Sequence, residues 1–163
     1  MPLRFCAENL PRQRLTKRAT LADALHQAGD VGEAKRLFEE ADRMQIENQP
    51  GYRYLYSLRG YQYCDLLLAE GKMGEVKERA RETLEWMTNE PHAPVLTVVL
   101  DKLSLGRAWL AEAASEIKDQ KSNIKVAERD LDEAGRWLNE AADGLRKAGQ
   151  QQELPRGLLA RAG

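Results

Sequence analysis

Residues that favour strands are scarce in this chain: alanine and leucine outnumber valine, isoleucine and threonine about threefold. Unbranched helix formers dominate, so a sheet protein is excluded and an all-α chain is expected. Charge of one sign is missing as well, since 25 basic residues face 26 acidic ones and the net charge is −1. That balance leaves no global field to draw nucleic acid or an anionic membrane. Long apolar runs are lacking too. Val95-Leu96-Thr97-Val98-Val99-Leu100 is among the longest, far short of the roughly 20 residues of a membrane span. The opening Met1-Pro2-Leu3-Arg4-Phe5-Cys6 has no apolar stretch of the secretory kind. Cysteine is rare: Cys6 and Cys64 lie far apart and neither belongs to a C-x-x-C pair. Free thiols in a reducing, cytoplasmic compartment are the reading. Cys64 has no basic neighbour within a helical turn and reads as a small packed side chain.

What is present is regular punctuation. The length, 163 residues, suits one domain with its own core. Gly29-Asp30 and Gly71-Lys72 make two short turns, whereas Glu47 to Gly51, Asn89 to Pro94 and Gly149 to Pro155 make three longer borders. Four of the six prolines fall in those borders, where a missing N–H costs nothing. Between them the apolar spacing predicts helices over 12–28, 31–44, 52–69, 73–87, 95–118 and 125–148, with a short one over 155–162. Residues 1–11 read as a lead, and 12–163 as a single helical-repeat domain. Its helix pairs span about 12–45, 52–88 and 95–148.

The pairs are alike in sequence. Leu21-Ala22-x-x-Leu25, Tyr63-Cys64-x-x-Leu67 and Leu105-Gly106-x-x-Trp109 each set a small residue between large ones, and Ala22, Cys64 and Gly106 recur at a spacing of 42. Ala34-x-x-x-Phe38 and Val76-x-x-x-Ala80 follow 12 residues after the first two marks, whereas Ala134-x-x-x-Leu138 follows the third after 28. The polar stretch Lys118 to Asn123 accounts for the insertion. A small side chain at such a position lets the partner helix approach closely. One pair cannot bury its apolar face alone, so pairs of this kind stack.

The stretch Leu21 to Ala41 resembles a tetratricopeptide repeat, with Ala22, Gly29, Ala34, Phe38 and Ala41 on that family's pattern. The third pair is similar through Leu105, Gly106, Trp109, Ala134 and Ala141. In the second, Cys64 and Gly71 fit, and Val76, Ala80 and Thr83 depart. The resemblance covers about residues 12–163 and implies a right-handed superhelix of antiparallel helix pairs: three pairs and a terminal helix. Tyr54 to Leu68, Leu103 to Ala108 and Leu154 to Ala162 are similar to the tetratricopeptide region at the C-terminal side of bacterial multidomain signalling NTPases. That likeness implies a sensor or scaffold arm, with catalysis elsewhere in a longer protein. The apolar Leu154, Leu158, Leu159 and Ala162 also predict a slice through a longer array, because a capping helix should show a polar outer face.

Motifs that carry chemistry are missing. His26 and His92 have no cysteine or histidine at metal-ligand spacing, so no metal site is expected. Phosphate-cradling, dinucleotide-binding and nucleophile-elbow motifs are absent, and they need strands this composition does not supply. Paired acids such as Glu39-Glu40 and Asp130/Asp132/Glu133 read as solvated helix faces. No catalytic residue and no cofactor is expected. The basic stretch Arg4, Arg12, Arg14, Lys17 and Arg18, set against Glu8, lacks interleaved aromatics and reads as a solvated start to the first helix.

All five tyrosines, Tyr52, Tyr54, Tyr56, Tyr61 and Tyr63, fall within 12 residues, on what the spacing predicts as one helix. One stripe, Tyr52, Tyr56, Gly60, Tyr63 and Leu67, should pack inward. The other, Tyr54, Leu58, Tyr61, Asp65 and Leu68, belongs either to the core or to a concave groove, because tyrosine suits both. By the same alignment Asp23, His26, Leu103, Arg107 and Leu110 would join that groove. The expected function is a non-catalytic scaffold or sensor module that binds a peptide or partner helix there, with Asp65 and Arg107 orienting the ligand. The alternative is an autoinhibitory or self-assembly segment of a signalling NTPase, associating through Leu154, Leu158 and Leu159. A nucleic-acid-binding helical repeat stands third, against the charge balance. Neither nucleic acid nor membrane is expected as a partner.

Overall fold

A computed structural model describes residues 3–118 and 124–148 as six helices, with no strand among them. Residues 119–123 and the helix expected over 155–162, with Leu154, Leu158 and Leu159, lie outside the described residues. The protein is therefore all-α, as the shortage of branched residues requires. It divides into two compact units, residues 1–66 and 67–163.

In the first unit, α1 (Leu3–Gln27) packs against α2 (Val31–Asn48), and α3 (Ser57–Ala69) starts there. α1 begins well before the expected residue 12 and takes in Pro11. A proline reads from sequence as a helix-start residue, yet here it lies within the helix, with no N–H to complete the ladder. The α1–α2 turn is closed by Gly29, whose φ of +89° opens a left-handed position. The next N–H, on Asp30, donates back to the Leu25 carbonyl at 2.9 Å, which is the glycine-capped helix end. Asp30 then caps α2, its carboxylate accepting the Glu33 N–H at 3.2 Å. Leu15, Ala19 and Ala22 of α1 and Ala34, Leu37, Phe38 and Ala41 of α2 are buried. Phe38 stacks on Tyr63 of α3, ring centres 4.8 Å apart and 8° from parallel.

The expected helix from residue 52 is corrected. α3 starts at Ser57, so Tyr52, Tyr54 and Tyr56 precede it and form no helical stripe with Gly60 or Leu58. Two contacts hold the chain out of the helix at this point. The Leu55 N–H donates to the Asp42 carboxylate of α2 at 2.8 Å, and the Leu55 side chain is buried. Ser57 has a φ of +60°, which interrupts a right-handed helix. Gly60 permits the fold-back, since a Cβ there would overlap the Leu55 carbonyl oxygen.

In the second unit, α5 (Val95–Lys118) packs on both α4 (Met73–Thr88) and α6 (Ile124–Ala148). Covered from two sides, α5 buries Thr97, Asp101 and Ser104 as well as its apolar residues. The turn into α4 repeats the first one: Gly71 has a φ of +74°, and the Lys72 N–H donates to the Leu67 carbonyl at 2.9 Å. α5 and α6 approach closely at two glycines. A Cβ on Gly106 would stand 2.6 Å from Leu138 Cγ and 3.1 Å from the Leu138 nitrogen, and one on Gly144 would overlap Val99. Among the described residues, no helix is long and apolar enough to cross a membrane.

Candidate interaction surface

Six of the ten proposed groove residues belong to the first unit: Asp23, His26, Tyr54, Leu58, Tyr61 and Asp65. Asp23 on α1 is half-buried and accepts a 2.9 Å bond from Gln62 Nε2 on α3, so it ties two helices together. His26, in the last turn of α1, is half-buried, and its Nδ1 is shielded with no hydrogen-bond partner. Leu58 is 49% exposed, a large apolar side chain on the surface of α3. Asp65 is half-buried. Tyr54 precedes α3, and the Arg53 guanidinium lies 4.7 Å above its ring. Tyr61 is 6% exposed.

Leu68, Leu103, Arg107 and Leu110 belong to the second unit. The last three lie on α5 at steps of four and three, which share a face. Arg107 and Leu110 are half-buried, whereas Leu103 has no exposed surface. Leu68 is half-buried near the end of α3. Three of the ten placements therefore change. Leu103 and Tyr61 are core side chains, because a partner can gain little from area that folding has already covered. Tyr54 leaves the stripe because its backbone is not helical. Leu58, Arg107 and Leu110 keep surface, and Asp23 and His26 keep part of theirs.

Several polar arrangements escaped the sequence reading. On α1, the Thr16 hydroxyl donates to the Arg12 carbonyl at 2.9 Å and accepts Arg59 Nη1 from α3 at 2.9 Å. Arg59 is half-buried and its Nε is shielded without a partner. Burial lowers its affinity for its proton, Tyr56 opposes this, and the Arg12 charge adds a smaller lowering. In the second unit, Lys77 of α4 pairs with Glu112 of α5 and lies 3.9 Å above the Trp109 ring, while Arg81 approaches the same ring at 5.7 Å. Trp109 Nε1 is shielded and has no acceptor. Asp101 of α5 is 5% exposed and accepts the Thr83 hydroxyl of α4 at 2.9 Å. Burial pushes its carboxyl up to about 7, against the opposing Thr83 bond. No sequence signal marks these groups, because each pairing joins residues 18 or more positions apart.

These arrangements offer cations, carboxylates and aromatic faces for binding. Among the described residues no three of His, Cys, Asp and Glu cluster to hold a metal. Cys64 is buried. Compared with known proteins, the chain matches no family model, no curated protein and no solved structure.

Proposed function

We propose that this chain is a non-catalytic helical-repeat module of the tetratricopeptide kind, cytoplasmic, whose role is to bind a peptide or a partner helix. The observation that carries this reading is a recurrence. Gly29 and Gly71 both adopt positive φ. Asp30 and Lys72 both donate to a carbonyl five residues back, and the Ala34 and Val76 N–H groups both return to the turn residue four before. Each pair is separated by 42 positions, the spacing that also separates the buried Ala22, Cys64 and Gly106. A unit repeated with its turn, its cap and its small residue is the grammar of helical-repeat scaffolds, which bind through surfaces rather than by chemistry.

Each unit offers its own candidate surface: Leu58 with Asp23 and His26 in the first, and Arg107 with Leu110 in the second. Peptide display on the purified chain tests them. Enriched peptides should bind in the micromolar range, and either Leu58→Asp or Arg107→Glu, according to the unit bound, should weaken them about tenfold with helicity unchanged. No enriched peptide, or peptides indifferent to both changes, would sink the reading.

The self-assembly alternative draws on a separate observation. Val95 is 53% exposed and shares a recess of α5 and α6 with Val98, Val99 and Gly144, rimmed by the Lys102–Glu140 pair. Sedimentation of the chain and of Val95→Asp decides it: association abolished by the aspartate supports a second copy at this recess, and a monomer at all concentrations removes it.

A further inference from the structure

The two cationic partners of Thr16 were used neither by the repeat nor by the proposed surface. Arg18, on the same helix, is neutralised by Glu40 of α2 at 3.0 Å. Arg59 has no such partner: its acceptor is the neutral Thr16 hydroxyl, and no carboxylate stands against it among the described residues. Thr16 lies one helical turn after Arg12, so the two share a face of α1, and its bond to Arg59 holds the second guanidinium at that face. Because the Thr16 proton is committed to the Arg12 carbonyl, the hydroxyl anchors Arg59 and leaves the remaining donors of both guanidiniums to another acceptor. Asp23, seven residues after Thr16 on α1, is held by Gln62.

We propose that Arg12 and Arg59, with Thr16 as the anchor, form a binding site for a phosphoryl group. The charge decides between oxyanions. Two like charges at one face are compensated by a dianion, whereas a carboxylate neutralises only one of them. A phosphate monoester carries about −1.5 to −2 at neutral pH and offers three acceptor oxygens to planar guanidinium forks. The electrostatic effect of Arg12 on Arg59 is in keeping with this, since a bound anion relieves it. Phosphoserine in a peptide and free phosphate share this chemistry. The site stands or falls independently of the peptide-binding surface proposed above.

The test is an amide NMR titration of the whole chain with inorganic phosphate, O-phospho-L-serine and acetate at constant ionic strength. Saturable shifts centred on Arg12, Thr16 and Arg59 are expected for the first two, in the millimolar range, with acetate about tenfold weaker. Tighter binding of O-phospho-L-serine than of phosphate identifies a side-chain phosphoryl group as the source, and the reverse identifies the free ion. Arg59→Gln and Arg12→Gln should each lose about tenfold, while Arg14→Gln, on the other side of α1, should match the parent chain. Thr16→Val keeps both charges and should weaken binding by removing the anchor, so a folding defect in Arg59→Gln does not leave the site undecided. Shifts that fail to saturate, acetate equal to phosphate, or an equal loss in Arg14→Gln would overturn the proposal.

Discussion

Thr83 Oγ1 and Asp101 Oδ1 lie 2.9 Å apart across the α4–α5 contact, and the other carboxylate oxygen, Oδ2, is shielded with no partner. Thr83 has one proton and a second acceptor, the Arg79 carbonyl, at 3.0 Å. When Asp101 takes up a proton the bond can reverse: its carboxyl then donates to Thr83, and Thr83 donates to the carbonyl. Burial pushes that carboxyl up to about 7, so the protonated form prevails below that pH.

The pH dependence follows with a definite sign. The folded chain keeps a proton that the unfolded chain releases from about pH 4 upward, so Asp101 makes stability fall as pH rises between about 4 and 7. Above about 7 both states are ionised and the slope ends. The total is on the order of a few kcal/mol. Urea denaturation of the parent chain and Asp101→Asn from pH 4.5 to 8 reads it. The two should be close at the acid end, and the asparagine variant should be the more stable at pH 8. A difference between them that does not vary with pH would show that Asp101 is ionised throughout.

The close crossing of α5 and α6 gives a second expectation. Gly106→Ala sets a methyl against Leu138 Cγ and its backbone nitrogen, so overpacking should cost about 1–3 kcal/mol. Leu138→Ala leaves a cavity and should cost about 2–5 kcal/mol. In the double variant the new methyl partly fills that cavity, so the two losses should sum to less than their separate values. Simple additivity in denaturation midpoints would mean that the helices are not in contact at this point.

Glycines should divide into two groups. Gly29→Ala and Gly71→Ala force a Cβ into left-handed backbone and should each cost about 1–2 kcal/mol. Gly32→Ala and Gly74→Ala add a methyl in open space inside helices and should raise stability, by at most about 1 kcal/mol. Melting curves of all four variants, read by circular dichroism, check the contrast. A uniform response would remove the two caps from the account of the turns.

Much of this was legible along the chain, because caps and helix periodicity are local. Gly29-Asp30 and Gly71-Lys72 mark their turns by residue type alone, and α4, α5 and α6 end within a residue of the expected places. The start of α3 was not legible. It depends on Asp42 reaching Leu55 and on Ser57 taking a positive φ, neither of which alternating tyrosines reveal. Asp101 reads as one polar residue on an apolar helix, and only the packing of α4 and α6 on either side of α5 buries it. For the surface, Leu103, Arg107 and Leu110 share a face of α5, but their spacing does not say that Leu103 lies beneath it.

The tyrosines supply the last expectation, because burial now separates two residues that the spacing put together. Tyr61 is 6% exposed and Leu58 49% exposed, although both lie on α3. Tyr61→Ala should behave as a core truncation and cost about 3–5 kcal/mol, with binding by the folded fraction unchanged. Leu58→Asp adds a charge to exposed surface and should shift stability by no more than about 0.5 kcal/mol, while it disrupts any apolar contact made there. Denaturation midpoints and the affinity of a selected peptide, measured on both variants, separate the roles. A Tyr61→Ala chain that melts like the parent but loses the peptide would return that ring to the binding surface.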